Sequence, residues 1–159
     1  MLLLCAVSVA GVGRLPESVY VDGGNVRYFA FGSNLLRSKM VGCAAPLAAC
    51  SVPMTDTPSR CRRGETGVLE RVPAVVRDHR LAFNLRMFPP LEPAMASIEA
   101  STGDCCEGAL YTLTSQGYEE LWRSEGGAME RPGYEELVVT AEAGGESVQA
   151  ITLKAASAC

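Results

Sequence analysis

Two short segments carry residues whose types and spacing could do chemistry. The first is YFAFGSNLL, residues 28–36. Where a strand passes into a helix, Gly32, Ser33 and Asn34 leave several backbone N–H groups without intrahelical partners, at the positive end of the helix dipole. Such a turn is a cradle for a carboxylate. Taken by itself, Gly-Ser-Asn is also an ordinary capping turn. The second is Glu125, in WRSEGG, at the expected C-terminal end of a helix. A carboxylate there faces the negative end of the dipole, and crowding by nearby backbone would add to the effect; both favour its protonated form. An acid placed against the local rule is a candidate for proton transfer, although a solvated glutamate beside a glycine cap has the same sequence.

Other reactive groups point to no further chemistry. His79, the single histidine, stands beside Asp78 and reads as an exposed turn residue; nothing resembles a Ser, His, Asp triad. Cys5, Cys43, Cys50, Cys61, Cys105, Cys106 and Cys159 are odd in number, irregularly spaced and without a two-residue gap, so no metal site is expected. Cys105 and Cys106 should point to opposite faces of a strand, and free thiols acting as small hydrophobes favour a reducing compartment. With a net charge of −4 and only the short basic group Arg60, Arg62 and Arg63, nucleic acid is not an expected partner. Residues 1–13 are apolar but too short to cross a bilayer, and the first charge, Arg14, follows them instead of preceding them. Membrane insertion is therefore not expected, and a cytoplasmic location is favoured over secretion or organelle import.

The remaining sequence must position these segments. A chain of 159 residues, 48% apolar and 20% charged, fits one globular domain. The turn-rich residues 22–25 mark its start, giving an extension over 1–24 and a domain over 25–159. Residues 26–31 (VRYFAF) read as a strand, broken at 32–34, with a helix beginning in LLRSKM. Residues 41–66 are irregular, and 88–93 (FPPLEP) form an extended loop. Residues 71–77 and 80–85 read as a hairpin turning at Asp78 and His79, with Pro73 at an edge or strand start. Residues 94–100 and 106–113 are strands separated by 101–104. Thr114 or Ser115 caps a helix with Glu119 and Glu120 in its first turn, Tyr118, Leu121 and Trp122 inside, and a stop at Gly126 and Gly127. Residues 134–141 and 147–154 form a last hairpin about Gly144 and Gly145. Six or seven strands and two helices without regular alternation exclude a doubly wound sheet and favour an α+β fold with a largely antiparallel, barrel-like sheet.

In this order the motifs resemble the gamma-glutamylcyclotransferase family. YFAFGSNL is close to the family signature YFAYGSNL, and Glu125-Gly126 matches the short motif of its catalytic glutamate. RLAFN (80–84), EPAMASIE (92–99), GALYTLT (108–114) and PGYEELVV (132–139) match in between and after, so the resemblance runs over residues 27–154. It implies a small mixed, mostly antiparallel β-barrel with flanking helices. It also implies the cleavage of gamma-glutamyl amino acids or amines to 5-oxoproline and the free amine, in the setting of glutathione metabolism.

Carried over residue by residue, the resemblance makes Tyr28, Phe29, Ala30, Phe31, Gly32, Ser33, Asn34 and Leu35 substrate-binding. The turn from Gly32 to Leu35 would hold the alpha-carboxylate through backbone N–H donors, with Tyr28 to Phe31 as the adjoining wall. Glu125 would be the general acid and base. The substrate's own alpha-amine closes a five-membered ring on its gamma-carbonyl, so the nucleophile is already tethered and neither cofactor nor metal is expected. The amine must lose a proton and the departing amine must gain one, a double task one carboxylate can perform. Phe31 stands where the family has tyrosine, which removes a hydroxyl from the expected pocket. The family usually continues past its last strand into a segment that helps cover the site, so the resemblance implies either a chain truncated at its C-terminus or an open site with low activity. Asn34 after Ser33 disfavours the glutathione-specific branch; a gamma-glutamylamine specialist fits as well. The alternative is a non-catalytic member of the same fold that binds a ligand or a protein.

Overall fold

The computed structural model describes residues 15–35, 67–85, 95–130 and 132–156. The apolar leader, the helix expected in LLRSKM, the irregular stretch and the FPPLEP loop lie outside these residues. Six strands are described: β1 (Tyr20–Val21), β2 (Asn25–Ala30), β3 (Val68–Leu85), β4 (Met95–Leu113), β5 (Tyr134–Ala143) and β6 (Glu146–Ala155). One α-helix among the described residues, α1 (Ser115–Ser124), joins β4 to β5. The sheet order is β1-β2-β4-β3-β5-β6, and β6 pairs again with β2, closing β2 to β6 into a five-stranded ring. Every junction is antiparallel except the closing one, where Tyr28 faces Ile151 in parallel register. The buried hydroxyl of Thr152 donates to the Phe29 carbonyl across that seam at 2.8 Å. The expected mixed, mostly antiparallel barrel is the observed one.

The two hairpin-like segments of the sequence are organised differently. Residues 71–77 and 80–85 are not two strands of a hairpin but one continuous β3, and β4 likewise runs unbroken through 101–104. Arg77 pairs with Cys105 and His79 with Ala100, so Asp78 alone stands opposite residues 101–104. A bulge of this kind bends a ribbon without ending it. Asp78 adopts φ 54°, a left-handed conformation that aspartate tolerates better than most residues, and its carboxylate accepts the Gly103 N–H at 2.8 Å. The polar, turn-like text that suggests a hairpin is the chemistry of the bulge. His79 is accordingly a half-buried strand residue, its Nδ1 2.9 Å from the Arg77 carbonyl.

Two packed clusters use opposite faces of the sheet. Phe29, Phe31, Ala74, Val76, Cys106, Leu110, Val139, Ala141 and Ala150 come from the chain of every ring strand and the residue after β2, and fill the barrel interior. Val26, Tyr28, Ala30, Tyr111, Tyr134, Ile151 and Leu153 take the outer face, where Tyr118 and Leu121 of α1 cover them. The adjacent thiols separate as expected, with Cys105 exposed and Cys106 buried.

The helix has both stops its sequence encodes. Thr114 is the N-cap, its hydroxyl accepting the Gly117 N–H at 3.0 Å. Glu119 and Glu120 fall beyond the first turn, since the helix opens on Ser115, and they pair with Arg123 at 3.7 and 3.2 Å. At the C-terminus the N–H groups of Gly126 and Gly127 donate to the carbonyls of Arg123 and Trp122 at 3.0 and 2.8 Å. Gly126 lies at φ 82°, completing a Schellman motif.

Candidate functional site

Strand alternation decides which of the eight residues 28–35 can share a site with α1. Tyr28 and Ala30 belong to the outer cluster, as does Leu35, whereas Phe29 and Phe31 are packed in the interior, rings 6.5 Å apart. The structure therefore does not bring Phe29 and Phe31 to the α1 side, and a hydroxyl at position 31 would fall in the interior cluster. Gly32 follows at φ 57°, and a Cβ there would come within 2.9 Å of the Ala96 Cβ on β4. Glycine is required twice over, by conformation and by space. It turns the chain into a single 3-10 turn, Gly32–Leu35, closed by the Asn34 N–H donating to the Phe31 carbonyl at 3.2 Å.

Tyr28 sits between that turn and the helix. Its hydroxyl accepts the side-chain N–H of Asn34 at 3.2 Å, and its ring lies 6.3 Å from that of Tyr118. The Asn34 side-chain oxygen is buried and has no hydrogen-bond partner among the described residues. A buried acceptor left in that state is costly unless a donor completes it.

Glu125 is the C-cap of α1, half-buried, with its N–H closing onto the Leu121 carbonyl at 3.0 Å. It stands four residues after Leu121 and seven after Tyr118, spacings that keep one helix face. That face carries the two fully packed α1 side chains of the outer cluster, the cluster to which Tyr28 and Leu35 belong. The indole of Trp122 lies so close over Gly127 that a Cβ at 127 would be 1.9 Å from it. The bend after Glu125 is thus fixed by side-chain packing as well as by its hydrogen bonds.

Three side chains near this face make contacts that the motifs do not reveal. Tyr134, at the start of β5, donates its hydroxyl to the Ala96 carbonyl at 2.9 Å and so ties β5 to the strand against which Gly32 packs. Tyr118 donates to Glu136 Oε1 at 2.7 Å. Burial, then the neighbouring Glu136 charge, holds the Tyr118 hydroxyl far above the usual phenol range. The signal for Glu136 is present in the text: in YEELVV both parities of the strand carry apolar residues, so both faces must be covered, and the glutamate two residues after Tyr134 must lie beneath something.

No protein-family model matches the chain, and no curated protein matches it in sequence. Solved structures do match. YkqA from Bacillus subtilis aligns at TM-score 0.61 with 19% identity, over 84% of this chain and 41% of that one. An uncharacterized protein from Homo sapiens aligns at TM-score 0.60 with 19% identity, over 84% of this chain and 68% of that one. A gamma-glutamyl cyclotransferase aligns at TM-score 0.58 with 17% identity, over 84% of this chain and 68% of that one. The chain spans less than half the length of the Bacillus protein. At such identities the likeness defines the fold. The chain has the gamma-glutamylcyclotransferase-like fold: a closed, mixed, five-stranded barrel with an extra strand and, among the described residues, one helix. Among the described residues no helix is long and apolar enough to cross a membrane.

Proposed function

We propose that the protein is a gamma-glutamylcyclotransferase, converting gamma-glutamyl amino acids or amines to 5-oxoproline and the free amine in the cytoplasm. The observation that carries this reading is the convergence of two distant segments on one cluster. β2 and the turn after it reach it through Tyr28 and Leu35, and the helix ending in Glu125 reaches it through Tyr118 and Leu121. On this reading the substrate's alpha-carboxylate lies against the N–H groups of the turn at 32–35. The alpha-nitrogen, freed of a proton by Glu125, attacks the gamma-carbonyl carbon. The new C–N bond closes the ring, the original C–N bond breaks, and Glu125 returns the proton to the leaving amine. The reaction needs a held conformer and one proton carrier, which matches a site with few side chains.

The deciding experiment is 5-oxoproline release from gamma-glutamyl alanine, gamma-glutamyl alkylamine and glutathione, with Glu125→Gln beside the wild type. The wild type should turn over at least one substrate. Glu125→Gln should lose about 100-fold or more in kcat, the scale of general acid–base catalysis, while still binding the substrate. Binding without release by the wild type would make the protein a ligand-binding member of its fold and end the enzymatic reading.

A further inference from the structure

Glu136 breaks the pattern of its strand. It occupies the same face of β5 as Tyr134 and Val138 and pairs with Leu153, all parts of the cluster under α1 or packed against it. A carboxylate on an apolar, helix-covered face costs desolvation and is retained where it does something specific. Among its contacts here it accepts the Tyr118 hydroxyl at 2.7 Å, and its charge also acts on Tyr20. Tyr118 is two helical turns before Glu125 on the same face, 3% exposed, and stacked at an angle on Tyr28. Tyr28 in turn holds the side chain of Asn34 in the 3-10 turn. The sequence of contacts therefore runs from β5 through α1 and β2 to the turn.

We infer that Glu136 is a positioning residue: through Tyr118 it sets the roll of α1 on the barrel, and so the place of Glu125 relative to the turn at Gly32–Leu35. The Ser115 hydroxyl, which donates to the Gly24 carbonyl, fixes the start of α1; nearer the acid, packing of Leu121 and Trp122 is compatible with small rotations of the helix, and the Tyr118–Glu136 bond restrains them. Burial and then the Glu136 charge hold the Tyr118 hydroxyl above the usual phenol range, so that it is a donor at neutral pH. The inference rests on the proposed function for its catalytic consequence, but its structural consequence is independent of it.

The test uses the full chain with Glu136→Gln, Glu136→Ala and Tyr118→Phe. Glutamine retains an acceptor oxygen for Tyr118; alanine and the phenylalanine ring do not restore the bond. Glu136→Ala and Tyr118→Phe should each lower kcat about tenfold with KM nearly unchanged, as expected for a small displacement of an acid from its productive place. Combining them should cost no more than either, and Glu136→Gln should stay near the wild type. The single tryptophan, Trp122, reports the end of α1 by its fluorescence. Its emission should shift in Glu136→Ala and in Tyr118→Phe and return in Glu136→Gln. Unchanged emission in both of the first two overturns the inference whatever the rates. A Glu136→Gln protein as slow as Glu136→Ala overturns it too, since the charge itself would then be required. If the wild type releases no 5-oxoproline, the proposed function fails and the emission still decides this point.

Discussion

The barrel interior and the helix-covered outer face are built by alternate residues of the same strands, yet their contents differ in kind. Inside, Phe29, Phe31, Val76, Ile98, Leu110 and Val139 pack with small alanines and one thiol. Outside, Tyr28, Tyr111, Tyr118 and Tyr134 supply most of the bulk, and each hydroxyl has a partner: Asn34, Arg71, Glu136 and the Ala96 carbonyl. A tyrosine buries nearly as much apolar surface as phenylalanine while adding a directional bond at its far end. One face therefore packs almost wholly by shape, the closing seam adding the buried Thr152 hydroxyl on the Phe29 carbonyl, and the other holds a helix and a turn in register. On the proposed function the chemistry belongs on the second, where tyrosine hydroxyls are at hand to place an acid.

The difference is testable most severely from the inside. Phe29 is fully buried, and Phe29→Ala should cost about 4 kcal/mol through lost transfer free energy and the cavity left behind. Urea unfolding at neutral pH should show this as a large drop in midpoint. Tyr118→Phe, which keeps the ring and loses one hydrogen bond, should cost about 1 kcal/mol under the same conditions. Similar losses from the two variants would mean that the outer face is as much a stability core as the interior, and the two faces would not differ in kind.

How far this division can be seen in the sequence depends on how local its causes are. VRYFAF and GALYTLT read as strands because β-branched and aromatic residues are concentrated there, and the α1 stops at Thr114 and Gly126-Gly127 are written in single residues. The placement of Glu125 at a helix end follows from those stops. The long ribbon does not emerge from the same rules, since Asp78 with His79 and the residues 101–104 carry turn chemistry and only the pairing of β3 with β4 makes them a bulge. The facing of Phe29 and Phe31 is a matter of parity, and becomes decidable only when both faces of β2 are known to be covered. Glu136 is similar: its partner Tyr118 lies 18 residues earlier on another element, which no local pattern links to it.

An intermediate effect should come from pH. Burial, with Cys105 and Glu107 nearby, pushes the Cys106 thiol from 9.0 up to about 11, and Tyr118 is raised above its ordinary 10.0 by burial and Glu136. Both groups are neutral when protonated, and both hold their protons more tightly folded than unfolded. Their contribution to stability is therefore complete below pH 9 and is lost as the unfolded chain ionises first. The loss is about 1.4 kcal/mol per pH unit for each group within its window. The urea midpoint should fall from pH 9 upward and more steeply above pH 10. Because Cys106 belongs to the interior and Tyr118 to the outer face, the two can be separated: Cys106→Ala should remove the loss between pH 9 and 10, and Tyr118→Phe part of the added steepness above it, Tyr20 being raised as well by burial and Glu136. A midpoint that stays level from pH 8 to 11 would contradict the burial of both.

The smallest change asks whether the two faces can be loosened separately. Thr114 caps α1 through the Gly117 N–H and takes no part in the interior cluster. Thr114→Ala should cost about 1 kcal/mol, and Thr114→Ser, which keeps the hydroxyl, should recover most of it. Hydrogen exchange gives the sharper view. If the helix is a cover held on a barrel that is closed without it, amides of α1 should exchange faster in Thr114→Ala while those of Val75 and Val76, at the β3–β5 junction, keep their protection. Faster exchange in both places would mean that α1 is part of what keeps the ring shut. The outer face could not then yield or tighten around a substrate without cost to the barrel, and the position of Glu125 would be set by the whole fold instead of by its tyrosines.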